Sequence, residues 1–287
     1  MAKGDEFGSF RFKIAQNSKR KEEIEMTRYN LKTLKVTIIQ SELHWEDAQA
    51  NRAMFSQKIK NIEGQTDLIV LPEMFPTGFS MAAEKLAEPN DGETLNWMIS
   101  EARKKNCAIT GSVIISEKNN FYNRLFFVFP DGNYTKYDKK HTFTLAKENE
   151  TYTAGNEKII VDYKGWKICP LVCYDLRFPV WARNTEEYDL LLFVANWPKI
   201  RTLAWDTLLR ARAIENMCYC IGVNRVGFDG NEHEYSGHSA VYDVLGKQIS
   251  LTATGEFTET VVLEKEHIET NRKHLQFLND RDPFILK

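Results

Sequence analysis

The chain has 287 residues, 43% of them apolar and 27% charged, so it is long enough to bury a full core and its composition excludes a wholly disordered protein. Its net charge of −2 gives no electrostatic ground for a nucleic-acid partner or an anionic membrane surface. No apolar run reaches the roughly 18 residues of a membrane span, the N-terminus lacks a secretory layout, and the five scattered cysteines include no CxxC pair, which together predict a reduced, cytoplasmic protein.

Residues 1–30, MAKGDEFGSFRFKIAQNSKRKEEIEMTRYN, are polar, mixed in charge and weakly periodic. They read as a flexible or added leader, with a short docking helix through KRKEEIEM as the alternative. Residues 31–287 read as a single domain with a C-terminal tail. LKVTIIQ, from Leu34, predicts a first strand. WEDAQANRAMFSQKIKNI predicts a helix capped by Asp47, with Phe55, Ile59 and Ile62 recurring at helical spacing. DLIVLPE is a short apolar run ending on a carboxylate, Glu73. GETLNWMISEARKKN predicts a second helix. CAITGSVII, RLFFVFP and YTKYDK predict strands, the last two joined by the turn PDGN. Residues 141–156 are polar and without period, as a long functional loop would be.

The second half repeats the scheme. WKICPLVC predicts a strand, and DLLLFVAN predicts another that is buried on both faces. In RTLAWDTLLRARAIENM, residues Trp205, Leu208, Leu209, Ala213 and Met217 recur at helical spacing. CYCIGVNR, SAVYDV and ETVVLE predict the remaining strands. Strands alternating with helices, plus paired hairpins, predict an α/β protein of two mixed β-sheets with helices outside.

Within ICPLVCYDLRFP an apolar run ends on Cys173 and a polar turn follows at once. A thiol at a strand end stands at the mouth of an α/β sheet, where ligands bind. Glu73 and Lys139 also follow apolar or alternating runs, so one sheet rim can gather all three. A carboxylate can take the thiol proton, and a lysine can favour the thiolate and meet an oxyanion. Base, cation and nucleophile suffice for acyl transfer through a thioester. Taken singly, each residue has a plainer reading: an inert core thiol, or a solvated strand-end charge.

Several ordered motifs favour the chemical reading. From about Lys35 onward the chain resembles the nitrilase, or carbon–nitrogen hydrolase, superfamily. LIVLPEMFPTGF looks like its glutamate motif, with Glu73 as general base. YDKKHTF looks like its lysine motif and points to Lys139. PLVCYDLRFP looks like its nucleophile motif and gives Cys173. ENETYTAG places a further family glutamate at Glu148. FVANWPKIRTLAWDTLLRARAIENMCYCIGVNRVGFDGN resembles the bacterial omega-amidase branch, whose members hydrolyse the terminal amide of 2-oxo-acid amides such as 2-oxoglutaramate. The resemblance implies a four-layer αββα sandwich, no metal, no organic cofactor, and a homodimer or larger assembly with C-terminal segments crossing between subunits. FLNDRDPF is such a tail. Two departures stand out: His238 where YSGHSA is expected to carry an acidic residue, and HTF in place of HLF at 141–143.

The resemblance assigns Glu73, Lys139, Cys173 and Glu148 to catalysis, with the Tyr174 backbone N–H as second oxyanion donor. An omega-amide carries a carboxylate at its far end, which calls for a cation. Arg177 is the first candidate, with a salt bridge to Asp175 or Glu186 as its plainer role, and Arg201 is the weaker one. Asn196 and Trp197 follow the next strand and can wall the pocket. His141 is expected to support the lysine loop. His233 and His238 have no accompanying ligand pair for a metal, and Cys218 and Cys220 alternate around Tyr219 as core. Cys169 lies four residues before Cys173, about 13 Å away along a regular strand, too far for a disulfide. Rival readings are another carbon–nitrogen hydrolase, acting on N-carbamoyl amines or nitriles, and a non-catalytic binding protein on the same fold.

Overall fold

The computed structural model describes residues 32–286, so the leader and its alternative docking helix lie outside the described residues. The strands, in chain order, are β1 (Thr33–Gln40), β2 (Leu68–Val70), β3 (Glu88–Pro89), β4 (Ala108–Glu117), β5 (Asn120–Val128), β6 (Tyr134–Asp138) and β7 (Val161–Tyr163). They continue with β8 (Trp166–Val172), β9 (Leu190–Ala195), β10 (Tyr219–Asn224), β11 (Val226–Phe228), β12 (Glu234–Ser236), β13 (Ala240–Tyr242) and β14 (Phe257–Glu264). The longer helices are α1 (Ala48–Lys60), α2 (Glu93–Lys105), α3 (Thr202–Asn216) and α4 (Lys265–Leu275).

One sheet has the order β14-β1-β2-β4-β5-β6, with β3 pairing off β4; the second has the order β13-β10-β9-β8-β7. β11 and β12 form a separate ribbon. Side-chain alternation decides the layering. In Leu68-Ile69-Val70-Leu71, the first and third side chains join a core shared with Ile168, Val172 and Val194 of the second sheet. The other two join Phe55, Ile59, Leu95 and Met98 of α1 and α2 on the outside. A strand buried on both faces must read as a continuous apolar run, which is why DLIVLPE shows no alternation. α3 covers the outer face of the second sheet through Trp205, Leu209 and Ala213. Its close approach requires Gly222, where a Cβ would lie 2.4 Å from Leu209 Cδ1 and 2.6 Å from the Trp205 ring. The layers are therefore helix, sheet, sheet, helix.

Local signals end the helices where the sequence puts them. Asp47 Oδ1 accepts from the Ala50 N–H at 2.9 Å, capping α1. Asn106 closes α2 in the left-handed conformation, φ +52°. Several elements go beyond the sequence prediction: β3, β7, the β11–β12 ribbon and α4 at residues 265–275, for which no element was predicted; FLNDRDPF begins with a 3-10 turn at Phe277–Asp280.

Strand direction gathers the site. β1, β2 and β4 are parallel; β5 reverses and β6 reverses again, so β6 runs with β2. β8, β9 and β10 are parallel to one another. The C-terminal ends of β2, β6, β8 and β9 lead into Glu73, Lys139, Cys173 and Asn196, and the hydrogen bonds among these residues place them at one shared rim.

Candidate active site

Cys173 is the first residue past β8 and opens a 3-10 turn, Cys173–Arg177. Its φ is +45°, a left-handed conformation that non-glycine residues adopt only where the surroundings enforce it. Asp175 does much of the enforcing. Its buried carboxylate accepts from the Val172 N–H at 3.0 Å and the Tyr137 hydroxyl at 2.8 Å through Oδ2. Oδ1 accepts from the His141 N–H at 3.0 Å and lies 2.7 Å from His141 Nδ1. The His141 ring stacks on Phe178, with centroids 3.6 Å apart. Asp175 thus ties the turn after Cys173 to the loop after Lys139, and His141 sits in the supporting position expected of it.

Lys139 is anchored by its backbone N–H, which donates to the Asn123 carbonyl at 3.0 Å. Its Nζ donates to Glu73 Oε1 and to both oxygens of Glu148, each at 2.9 Å. Glu73 Oε2 accepts from the Asn196 N–H at 2.8 Å, and the Asn196 side chain donates back to the Glu73 carbonyl at 2.6 Å. Glu148 Oε2 also accepts from the Phe143 N–H at 2.5 Å. Cys173 Sγ lies 3.9 Å from the Asn196 carbonyl oxygen.

Burial pushes the Cys173 thiol well above its ordinary value, the Glu73 carboxylate adds to the rise, and Lys139 opposes it. Burial works against the Lys139 ammonium, but the Glu148 and Glu73 carboxylates outweigh it and hold the pKa above the usual lysine range. A thiolate would add a negative charge beside the Glu73 and Glu148 side chains in a site removed from water, so burial and these neighbours favour the protonated thiol against the pull of Lys139.

Lys139, Cys173, Tyr174, Arg177, Asn196 and Trp197 line a cavity of about 500 Å³; Glu73 and Glu148 lie behind that wall, fully buried. The Arg177 guanidinium sits 4.8 Å from the Trp197 ring centroid, and that of Arg201 sits 5.2 Å from the Phe143 centroid. Among the described residues neither arginine pairs with a carboxylate. The alternative partners of Arg177 are engaged elsewhere, Asp175 as above and Glu186 with Lys158 at 2.8 Å. Trp197 is both core and wall: it is 4% exposed, and its Nε1 donates to the Arg201 carbonyl at 2.8 Å.

The sequence reading missed several wall residues. Trp45, Glu46 and Phe79 come from the first sheet's loops, and Asp229, His233 and Tyr235 come from the ribbon. His238 is not among the lining residues; it has φ +58° and lies 3.0 Å from Asp206. Asn123, whose side chain reaches both glutamates, was also missed, although a polar residue inside the apolar run FYNRLFF was a usable signal. Among the described residues no cluster of three or more His, Cys, Asp or Glu is arranged to hold a metal ion.

A thiol, a lysine and two carboxylates at the common rim of an αββα sandwich are the parts of a hydrolase that works through cysteine. Residues 35–266 match the carbon–nitrogen hydrolase family, and the chain belongs to it. It is 44% identical to the omega-amidase YafV of Yersinia enterocolitica over 257 residues, which is 89% of this chain and all of that protein. It is 34% identical to a 2-oxoglutaramate amidase of Bacillus subtilis over 189 residues, 64% of this chain and 73% of that one. The crystal structure of XC1258 from Xanthomonas campestris, a member of the same superfamily with an arsenic adduct in its active site, superposes with a TM-score of 0.87 at 42% identity, covering 89% of this chain and 99% of that one.

Proposed function

We propose that the protein is an omega-amidase, which hydrolyses the terminal amide of a 2-oxo dicarboxylic acid monoamide, or of an analogue such as succinamate, to the dicarboxylate and ammonia. The observation that carries this reading is the pair of arginines, Arg177 and Arg201, on the wall of the cavity that holds Cys173, with no carboxylate partner among the described residues. A guanidinium without a protein partner suits a substrate carboxylate bidentately. The similarity to an omega-amidase and a 2-oxoglutaramate amidase supports the same substrate class.

The geometry supports the following assignment of roles. Arg177 takes the far carboxylate of the substrate, with Arg201 as the second cation and Asn196 and Trp197 as wall. Glu73 accepts the thiol proton as Cys173 Sγ bonds to the amide carbon. Lys139 Nζ and the Tyr174 backbone N–H meet the oxyanion, and Glu148 holds Lys139 in place. The carbon–nitrogen bond then breaks and ammonia leaves with the proton from Glu73. Water gives a proton to the same carboxylate and attacks the thioester, the carbon–sulfur bond breaks, and the thiol recovers its proton. Because proton transfer and attack are coupled, the raised thiol pKa is compatible with turnover: no free thiolate has to form before attack.

We also propose that the protein is cytoplasmic and a homodimer. The five cysteines are free and buried, as suits a reducing compartment, and no helix among the described residues is long and apolar enough to cross a membrane. Ammonia release from 2-oxoglutaramate and succinamate, measured for wild type and Cys173→Ala, tests the function. Turnover by the first alone is the expected result. Turnover of N-carbamoyl amines or nitriles instead would move the protein to another substrate class, and no turnover with an unreactive thiol would leave the non-catalytic reading.

A further inference from the structure

Asn123 takes no part in the chemistry just described, yet it touches both glutamates. It lies on β5 at the rim of the first sheet and is 1% exposed. Its Nδ2 donates to Glu73 Oε1 at 2.8 Å and to Glu148 Oε1 at 3.3 Å, while its backbone carbonyl accepts from Lys139. We infer that Asn123 is a positioning residue that selects which oxygen of Glu73 takes the thiol proton and holds the two glutamates in register.

The argument is one of lone pairs. Glu73 Oε1 receives two donors, Asn123 Nδ2 and Lys139 Nζ, so both of its lone pairs are engaged. Oε2 receives one, the Asn196 N–H, and keeps a lone pair open. The open oxygen is the one left to accept the proton of Cys173. Without Asn123, Oε1 has a free lone pair too, and the carboxylate loses the distinction between a held oxygen and a basic one. The orientation of the amide is itself informative. Asn123 Oδ1 is buried with no hydrogen-bond partner. Turning the amide over would aim that oxygen at two carboxylates. A residue selected for packing would be a leucine of the same shape, with no orphaned oxygen.

The inference rests on the amidase reading, and its consequence is a pH effect. The titratable groups around Glu73 are Lys139, Glu148, Cys173 and, beyond Glu148, Tyr152. Hydrogen bonds from Asn123 favour the ionised carboxylates of this cluster. Removing them lets the cluster hold its protons to higher pH, so the acid limb of the kcat/KM profile moves up.

The experiment compares Asn123→Leu and Asn123→Ala with wild type for kcat, KM, the pH profile and the rate of Cys173 alkylation by iodoacetamide. Losing the hydrogen bonds to Glu73 and Glu148, of which the one to Glu73 is the shorter, predicts a fall in kcat on the order of 10-fold to 100-fold, an unchanged KM, and an acid limb displaced to higher pH in both turnover and alkylation. Unchanged kcat with an unmoved limb overturns the proposal, as does a loss of stability without movement of the limb. Should both variants fail to fold, wild type labelled with 15N on asparagine side chains decides. The Asn123 amide pair, identified by its displacement in Glu73→Gln, is expected to titrate with the midpoint of the acid limb of the alkylation profile; a resonance that stays fixed overturns the assignment. Wild type that releases no ammonia defeats the amidase reading instead, while alkylation still reads Asn123 directly.

Discussion

Cys173 and Glu73 hold opposite ends of one proton, and their coupling has a counterintuitive consequence. The thiol is raised first by burial and then by the Glu73 charge and its hydrogen bond, against the pull of Lys139. Glu73→Gln deletes the carboxylate's contributions and leaves the lysine's. The thiol of the variant is therefore expected to ionise at lower pH than that of wild type, read from the ultraviolet thiolate absorbance. Turnover moves the other way. With no carboxylate to shuttle the proton to ammonia and from water, kcat is expected to fall by about 10²–10⁴-fold. A variant whose thiol ionises at the same pH as wild type, or higher, would show that the carboxylate is not what holds the proton on sulfur. The same residues mark the limit of sequence reading. Glu73, Lys139, Cys173 and Glu148 were legible because each stands in an ordered motif. The direction in which the site pushes the thiol was not, because it depends first on burial and then on charges that folding brings together from separate stretches of chain.

At the level of the element, the turn Cys173–Arg177 is held by an acceptor rather than by its own propensity. Asp175 satisfies three fixed donors, the Val172 N–H, the Tyr137 hydroxyl and the His141 N–H, in addition to the His141 ring. Asp175→Ala leaves the Val172 N–H and the Tyr137 hydroxyl buried without this acceptor and frees the half-buried His141 N–H. At about 1–3 kcal/mol for each buried unsatisfied group, the loss in unfolding free energy is expected to be at least about 2 kcal/mol, measured by urea denaturation. A loss within about 0.5 kcal/mol of wild type would make the residue an ordinary surface substitution in energetic terms and remove its bracing role. Long elements with a clear period were legible: α1, α2 and α3 fall within a few residues of their predicted spans. The ribbon β11–β12 was not, because strands of three residues show too little alternation to be seen. It matters to function nonetheless, since Asp229, His233 and Tyr235 bring it to the cavity wall. α4 was missed for another reason: Ile268 is its one buried residue and, apart from Leu275 at its end, the rest is polar, so it has almost no apolar stripe to read.

For the whole molecule, the proposed homodimer turns on the C-terminal segment. Past α4 the Arg281 guanidinium ties the chain back by donating to the Asn184 carbonyl. Around that tie, Phe277 is 55% exposed, Phe284 40%, Ile285 90% and Leu286 50%. Four large apolar side chains within ten residues exceed the scattered single exposures normal on a monomer's surface. A second copy of the chain covering this segment would remove them from water, and it would place the tail between subunits without involving the cavity. Deleting residues 277–287 leaves α4 and the Lys265 and Arg272 contacts to Asp189 intact, so the fold is expected to survive. Sedimentation equilibrium is then expected to give twice the chain mass for the full chain and the monomer mass for the truncated one. A full chain that sediments as a monomer at all concentrations ends the dimer proposal. A truncated chain that stays dimeric moves the interface to another face of the sandwich.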